Sequence, residues 1–233
     1  GNLTLRGGVD SELQQVHVLE KSGNGLDSQP GSTLGALDED VGGIFSGAWL
    51  EGELKVGRFA FLPGLRADLY HSGSTNLPAF EPRLAVRFTV GETTTLKAAT
   101  GLYHQPATAF VKLPTVALVE LSAGLQSSLN SEVGIEQRID SLGLEVTASL
   151  YWSEKLVLRE LELSDPDEIA QNRAFACGDF LTACHFDPFR SRRGRSIGLE
   201  LMVRRKLTEN LFGWVAYTLS RTTRWDPNFG VVY

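Results

Sequence analysis

The stretch Leu144-Glu145-Val146-Thr147-Ala148-Ser149-Leu150-Tyr151-Trp152 places apolar side chains at every second position, with Glu145, Thr147, Ser149 and Tyr151 between them. A period of two marks a strand with one apolar and one polar face, because successive side chains point to opposite sides of an extended backbone. The pattern continues on both sides. Upstream, Val133, Ile135 and Ile139 alternate with Glu132, Glu136 and Arg138, Leu96, Ala98 and Leu102 with Lys97 and Tyr103, and Pro82, Leu84, Val86 and Phe88 with Arg83 and Arg87. Further upstream lie the sets Phe59–Leu69, Ile44–Val56 and Leu3–Leu13, and downstream Ile197–Val203 and Val215–Leu219. The alternation predicts about nine strands of roughly ten residues or more, longer than soluble sheets use and close to what a tilted strand needs to cross a bilayer.

The connections sharpen this expectation. Val56-Gly57-Arg58, Val90–Thr93, Asp140–Gly143 and Lys206–Asn210 read as tight hairpin turns. They alternate with longer polar or irregular connections at Glu20–Gly42, His71–Ala79, Gln105–Ser127 and Lys155–Gly194. An up-and-down transmembrane barrel has this asymmetry, with short periplasmic turns and long extracellular loops. Phe59, Phe61 and Phe88 lie on the apolar face beside short turns and Trp152 beside a long loop, as aromatic girdles require, while Phe212 and Trp214 share the parity of the polar set and are expected at the turn. A soluble β-sandwich also alternates, but its loop lengths need not segregate by end, and charges of both signs in mid-strand suit a wide, water-filled or plugged lumen better.

Composition agrees with this fold class. The 233 residues are 42% hydrophobic and 21% charged, with a net charge of −6. No run of about 18 apolar residues is present, which excludes a transmembrane helix and leaves a membrane barrel open. An acidic balance whose one basic cluster is Arg190–Arg195 argues against nucleic acid as a partner. The expected class is therefore all-β: a partial, antiparallel up-and-down transmembrane barrel, with residues 1–233 forming one section of a single barrel domain. The start at Gly1, without initiator Met or leader, reads as a section cut from a longer chain.

Several stretches in order resemble one family. Glu81-Pro82-Arg83-Leu84-Ala85-Val86-Arg87-Phe88, with Thr95–Pro106 after one turn, is similar to paired strands in the barrel of TonB-dependent outer-membrane receptors. Ser131–Gln137, Gly194–Leu201 and Gly213–Arg221 resemble three further strands of that barrel in the same order. The resemblance implies a barrel of 22 strands with a plug domain absent from this chain, located in the outer membrane of a Gram-negative bacterium. It further implies energy-coupled uptake of a scarce nutrient of siderophore, cobalamin or glycan type, with the TonB system engaged through that plug. Two other classes share the pattern: a passive porin or structural barrel, and a soluble carbohydrate-binding β-domain.

Chemistry-bearing residues are few. His17, His71, His104 and His185 show no metal-ligand spacing, and neither a nucleophile elbow nor a phosphate-cradling glycine loop appears, so neither an enzyme nor a bound cofactor is expected. Cys177 and Cys184, in the longest connection, form a candidate disulfide that would stiffen the loop by roughly 2–3 kcal/mol if exported to an oxidising compartment. The same connection carries Phe175, Phe180, Phe186 and Phe189 with Arg190, Arg192 and Arg193, a candidate ligand-capturing or surface-recognition loop. Arginines at its base also suit the phosphates of lipopolysaccharide, which together with outer-membrane lipid is an expected partner. On the polar faces, Arg66, Asp68, Arg83, Arg87, Lys97, Tyr103, Glu132, Glu136, Arg138, Glu145, Glu200 and Arg204 are candidates for contact with a plug or a polar ligand, or for pairing across strands.

Overall fold

The computed structural model describes residues 2–20, 37–106, 121, 124–161, 189–205, 211–226 and 230–232. Nine long strands follow one another as an antiparallel meander in a single sheet: β1 (Leu3–Glu20), β2 (Leu37–Val56), β3 (Phe59–Ser72), β4 (Thr75–Thr89), β5 (Thr94–Pro106), β6 (Leu125–Ile139), β7 (Leu144–Leu161), β8 (Phe189–Arg205) and β9 (Gly213–Asp226). A three-residue strand, β10 (Gly230–Val232), pairs with the end of β9. The sheet is open, because no ladder among the described residues joins β10 back to β1.

Register carries the alternation of each strand across the whole sheet. One row runs Leu3, Leu54, Phe61, Val86, Ala98, Val133, Leu150, Leu199, Leu219, with every member opposite the next. A row on the other face runs Lys55, Ala60, Arg87, Lys97, Gly134, Ser149, Glu200, Thr218. Slipping any strand by one residue would exchange its faces, so this agreement over nine strands fixes the pairing.

Among the described residues, nothing packs on the apolar face. Among the described residues only Ala79 and Leu121 are buried hydrophobics, whereas Val9 is 83% and Val215 71% exposed. A soluble sandwich would bury these residues against a second sheet. At the turn end, Phe59 stacks on Phe88 (4.5 Å between centroids) and lies 5.9 Å from Phe61. Trp152 and Trp225 lie near the opposite, loop end of the same face.

Three expectations need correction. The segment His71–Ala79 is not a long connection: β3 runs to Ser72, Gly73 and Ser74 make the turn, and β4 resumes at Thr75. Gly73 takes φ +57°, and His71 Nδ1 lies 2.9 Å from Asn76 Oδ1 across the closing rungs. Polar residues and Pro78 gave this stretch the look of a loop, although its ladder is complete to Ser72–Thr75. Secondly, β8 begins at Phe189, so Phe189, Arg190, Arg192 and Arg193 are strand residues and not loop residues. Thirdly, strands extend further toward the loop end than periodicity showed, β2 reaching 20 residues. A bulge between Lys155 and Leu158 shifts the β7 register there, which ends the simple alternation. Phe212 precedes β9, the connection Lys206–Asn210 lying outside the described residues, and Trp214 is the second residue of that strand, opposite Arg204 on the polar face.

Candidate functional site: the polar face of the sheet

The charged residues of the polar face gather into two groups at different heights. Nearer the loop end, Arg66 on β3 reaches across β2. Its Nη1 and Nη2 donate to Asp10 on β1 at 2.9 and 2.8 Å, and its Nε donates to both oxygens of Asp68 at 2.8 and 2.9 Å. The row beneath is Asp10, Gly47, Asp68, Ala79. Gly47 permits the crossing, because a Cβ there would strike Arg66 Nη2 and Asp68 Oδ1. One guanidinium thus ties β1 to β3 across β2 through charge-assisted hydrogen bonds, using the planar fork that lysine lacks.

Beside this bridge the β4–β5 ladder is incomplete. Among the described residues it spans only Arg83–Thr89 against Thr95–Gly101, although β5 continues to Pro106. Pro82, next in β4, has no backbone N–H to contribute. Glu81 takes over: its Oε1 accepts the backbone N–H of His104 at 2.6 Å, and its Oε2 accepts Arg83 Nη2 at 3.0 Å. Glu81 is 5% exposed, and Asp68 is nearly as covered, on a sheet that is otherwise one layer thick. Arg83 in turn lies 5.1 Å over the ring of Tyr103, and Tyr70 packs 5.4 Å from Phe45.

Nearer the turn end, Arg87 donates to Glu136 at 2.8 Å, and Lys97 lies 3.6 Å from both Glu132 and Glu136. Gly134 leaves room for the lysine stem, since a Cβ would stand 2.8 Å from Lys97 Cε. Further contacts lie here: Arg204 on β8 with Glu145 on β7 at 2.7 Å, Lys55 with Glu53 within β2 at 3.0 Å, and Arg138 with the carbonyl of Glu92 in the β4–β5 turn at 2.6 Å. Glu200 stands on the same face between Ser149 and Thr218.

The structure therefore brings Arg66 together with Asp68, and Arg87 with Glu136, Lys97 and Glu132. Arg83 and Tyr103 meet across β4 and β5. Cys177, Cys184, Phe175, Phe180 and Phe186 lie outside the described residues, as do the side chains of Phe189 and Arg190. Arg192 and Arg193 fall on opposite faces of β8, with Arg193 opposite Trp225 on the apolar side. Sequence reasoning missed Asp10 and the partnership of Glu81. Asp10 carries the right parity, but its strand is joined to β2 by a long connection across which register cannot be counted. Glu81 serves a backbone amide, which no side-chain pattern announces. Among the described residues no group of three His, Cys, Asp or Glu side chains converges as a metal site would.

No family model matches this chain, and no curated protein matches it in sequence. Solved structures do. The ferric-catecholate import receptor Fiu of Escherichia coli K12 superposes with a TM-score of 0.63 over 96% of this chain and 35% of that one, at 15% identity. The FrpB iron transporter of Neisseria meningitidis gives 0.61 over 97% and 35%, at 12% identity. The alcaligin outer-membrane receptor FauA of Bordetella pertussis gives 0.52 over 79% and 31%, at 15% identity. The fold is that of TonB-dependent outer-membrane receptor barrels. At these identities the likeness is one of fold, and the chain spans about a third of the length of these three structures. In such a barrel the apolar face of β1–β9 looks to lipid and the polar face, with the two ionic groups, lines the interior.

Proposed function

We propose that this chain forms wall of an outer-membrane receptor that imports a scarce, large nutrient, with energy supplied by the TonB system through a plug domain outside these residues. The observation that carries this reading is the fully apolar row across nine strands backed by a polar face on which Arg66, Arg87, Lys97 and Arg204 pair with carboxylates of other strands, in a fold shared with iron and siderophore receptors. A wall that will contact a moving plug or a polar cargo gains from fixed, internally neutralised charges, because unpaired ones would bind either too strongly. The role is transport and not catalysis, and of the siderophore, cobalamin and glycan classes the siderophore class is the one favoured by neighbours that include a ferric-catecholate import receptor and an iron transporter. Outer-membrane lipid surrounds the apolar face, and no nucleic acid is a partner.

The test is uptake by cells producing the full-length protein under iron limitation, with a radiolabelled ferric siderophore as probe. Accumulation should stop when a protonophore collapses the inner-membrane potential, while binding to the cell surface persists. Accumulation that continues unchanged without the potential would identify a passive pore and end the receptor reading.

A further inference from the structure

The seam between β4 and β5 differs from those on either side of it. The β3–β4 ladder runs to Ser72–Thr75 and the β5–β6 ladder to Pro106–Leu125, whereas among the described residues the β4–β5 ladder stops at Arg83–Gly101. Backbone direction gives the reason. Val90 N–H, just past β4, donates to the Thr94 carbonyl at 3.0 Å, and Thr89 N–H donates to the Arg58 carbonyl at 2.9 Å. Even-numbered residues of β4 therefore direct N–H and C=O toward β5, and odd-numbered ones toward β3. In β5 the even-numbered residues likewise face β4, since the Thr93 carbonyl accepts Arg138 N–H on the β6 side. Continued in register, the seam would set Pro82 opposite Leu102, Phe80 opposite His104 and Pro78 opposite Pro106. Three of these six residues are prolines, and the last rung has no donor at all. Proline whose missing N–H points at a neighbour belongs to sheet edges. The loop-end halves of β4 and β5 are thus built as two edges that face each other.

Side chains close the seam instead. Glu81 takes the His104 N–H and Arg83, and Arg83 lies over Tyr103, whose ring covers Gly101 so closely that a Cβ there would stand 3.0 Å from it. Closure leaves one group unserved. His104 Nδ1 is covered but has no hydrogen-bond partner among the described residues, stopping 3.9 Å from Glu81 Oε1, and water entering between parted strands would supply one. Water is at hand at this height, because Leu102 lies in one row with Leu129, Glu154 and Arg195, where the outward face turns charged. Behind β4 the wall is stiff. Arg66 ties β1 to β3, and β3 and β4 share an unbroken ladder. At the loop end β4 turns back to β3 through Gly73 and Ser74, so the chain does not join β4 to β5 there.

We propose that the loop-end halves of β4 and β5 part reversibly along this seam, pivoting at the Arg83–Gly101 rung, with the braced β1–β4 panel moving as one body and the Glu81–His104 contact as its latch. Parting widens the loop-end mouth of the interior without breaking a ladder hydrogen bond, since the prolines have already removed the donors that would resist it. The device rests on the reading of this sheet as barrel wall and is independent of what enters the interior.

Thiol labelling tests this. Ala79, on β4 beside the seam, is 3% exposed, and Ser149, on β7 away from it, is 7% exposed. A cysteine at either position reacts with a water-soluble maleimide when its surroundings open. In the full-length protein in lipid vesicles, with every native cysteine changed to serine, E81A should speed labelling of A79C about tenfold, as loss of one charge-assisted hydrogen bond does. Labelling of S149C should not change. E81Q, which keeps an acceptor for the amide, should fall between parent and E81A. P78V/P82V gives β4 two more N–H donors toward β5 at exposed positions, and should slow labelling of A79C below the parent rate. An A79C rate indifferent to E81A, equal acceleration of S149C, or no slowing by P78V/P82V would overturn the proposal. Heat-modifiable migration on gels reports barrel folding separately: its absence in the parent would remove the barrel reading itself, and its presence with an unchanged A79C rate removes the latch alone.

Discussion

The sector β1–β5 and the sector β7–β9 belong to one continuous sheet, yet only the second carries charge on its outward face as well as its interior one. In the first, the outward face is free of Asp, Glu, Lys and Arg among the described side chains, and the interior face carries the Asp10–Arg66–Asp68 bridge and the Glu81–Arg83 pair. In the second, long stretches of the interior face are small or uncharged, with Thr147, Ser149, Gly198, Ala216, Thr218 and Ser220, while the outward rim carries Glu154, Arg193, Arg195 and Arg221. Alternation alone would have made the two sectors equivalent. Their difference teaches that strands sharing one alternation can still be specialised face by face: one sector is cross-braced on its polar face, the other carries charge at its outward rim.

The contrast can be broken most sharply by placing charge on the wrong face. Leu65→Arg, near the middle of the apolar rows of β3, should destabilise the full-length barrel in bilayers by about 2–4 kcal/mol, as charge at the bilayer midplane does. Thr218→Arg, on the interior face opposite Glu200, should change stability by less than about 1 kcal/mol, as exposed ion pairs do. Urea unfolding in lipid vesicles measures both, and equal costs would refute the assignment of faces. A smaller effect is expected inside the braced sector. Arg66→Gln strips charge-assisted bonds from the nearly buried Asp68 and should cost about 1.5–3 kcal/mol in the same assay; Gly47→Ala, by displacing the same guanidinium, should add little to it in the double variant. The smallest change belongs to the turn-end pair. Arg87 is half exposed, so Arg87→Gln should cost under about 1 kcal/mol and lose even that in high salt.

Much of this architecture could be read from residue order. Leu144–Trp152 and its counterparts supplied the strand class and the two faces, and Gly57 and Gly143, which take φ +58° and +62°, marked turns correctly. Reading failed where backbone pairing overrode composition. Thr75, Asn76 and Pro78 look like loop chemistry, yet they lie on rungs closed by Gly73. The Arg190–Arg193 run looks like a loop base, but in a strand Arg192 and Arg193 fall on opposite faces, so a cluster in sequence is not a cluster in space. The interior site was legible as a set of charges and illegible as pairs, because pairing across β1–β2 depends on a register set by the fold and not by a countable turn.

The carboxylate of Glu81 has a further consequence. At His104 the wall holds a backbone amide by a side chain instead of by its neighbouring strand. Protection of that amide from hydrogen exchange is therefore written in a single codon, separate from the ladder that secures the rest of β5. Substitution at residue 81 can loosen the seam between β4 and β5 locally, leaving the Arg83–Thr89 rungs intact, and so offers a point at which the compliance of the wall can be adjusted without redesigning a strand.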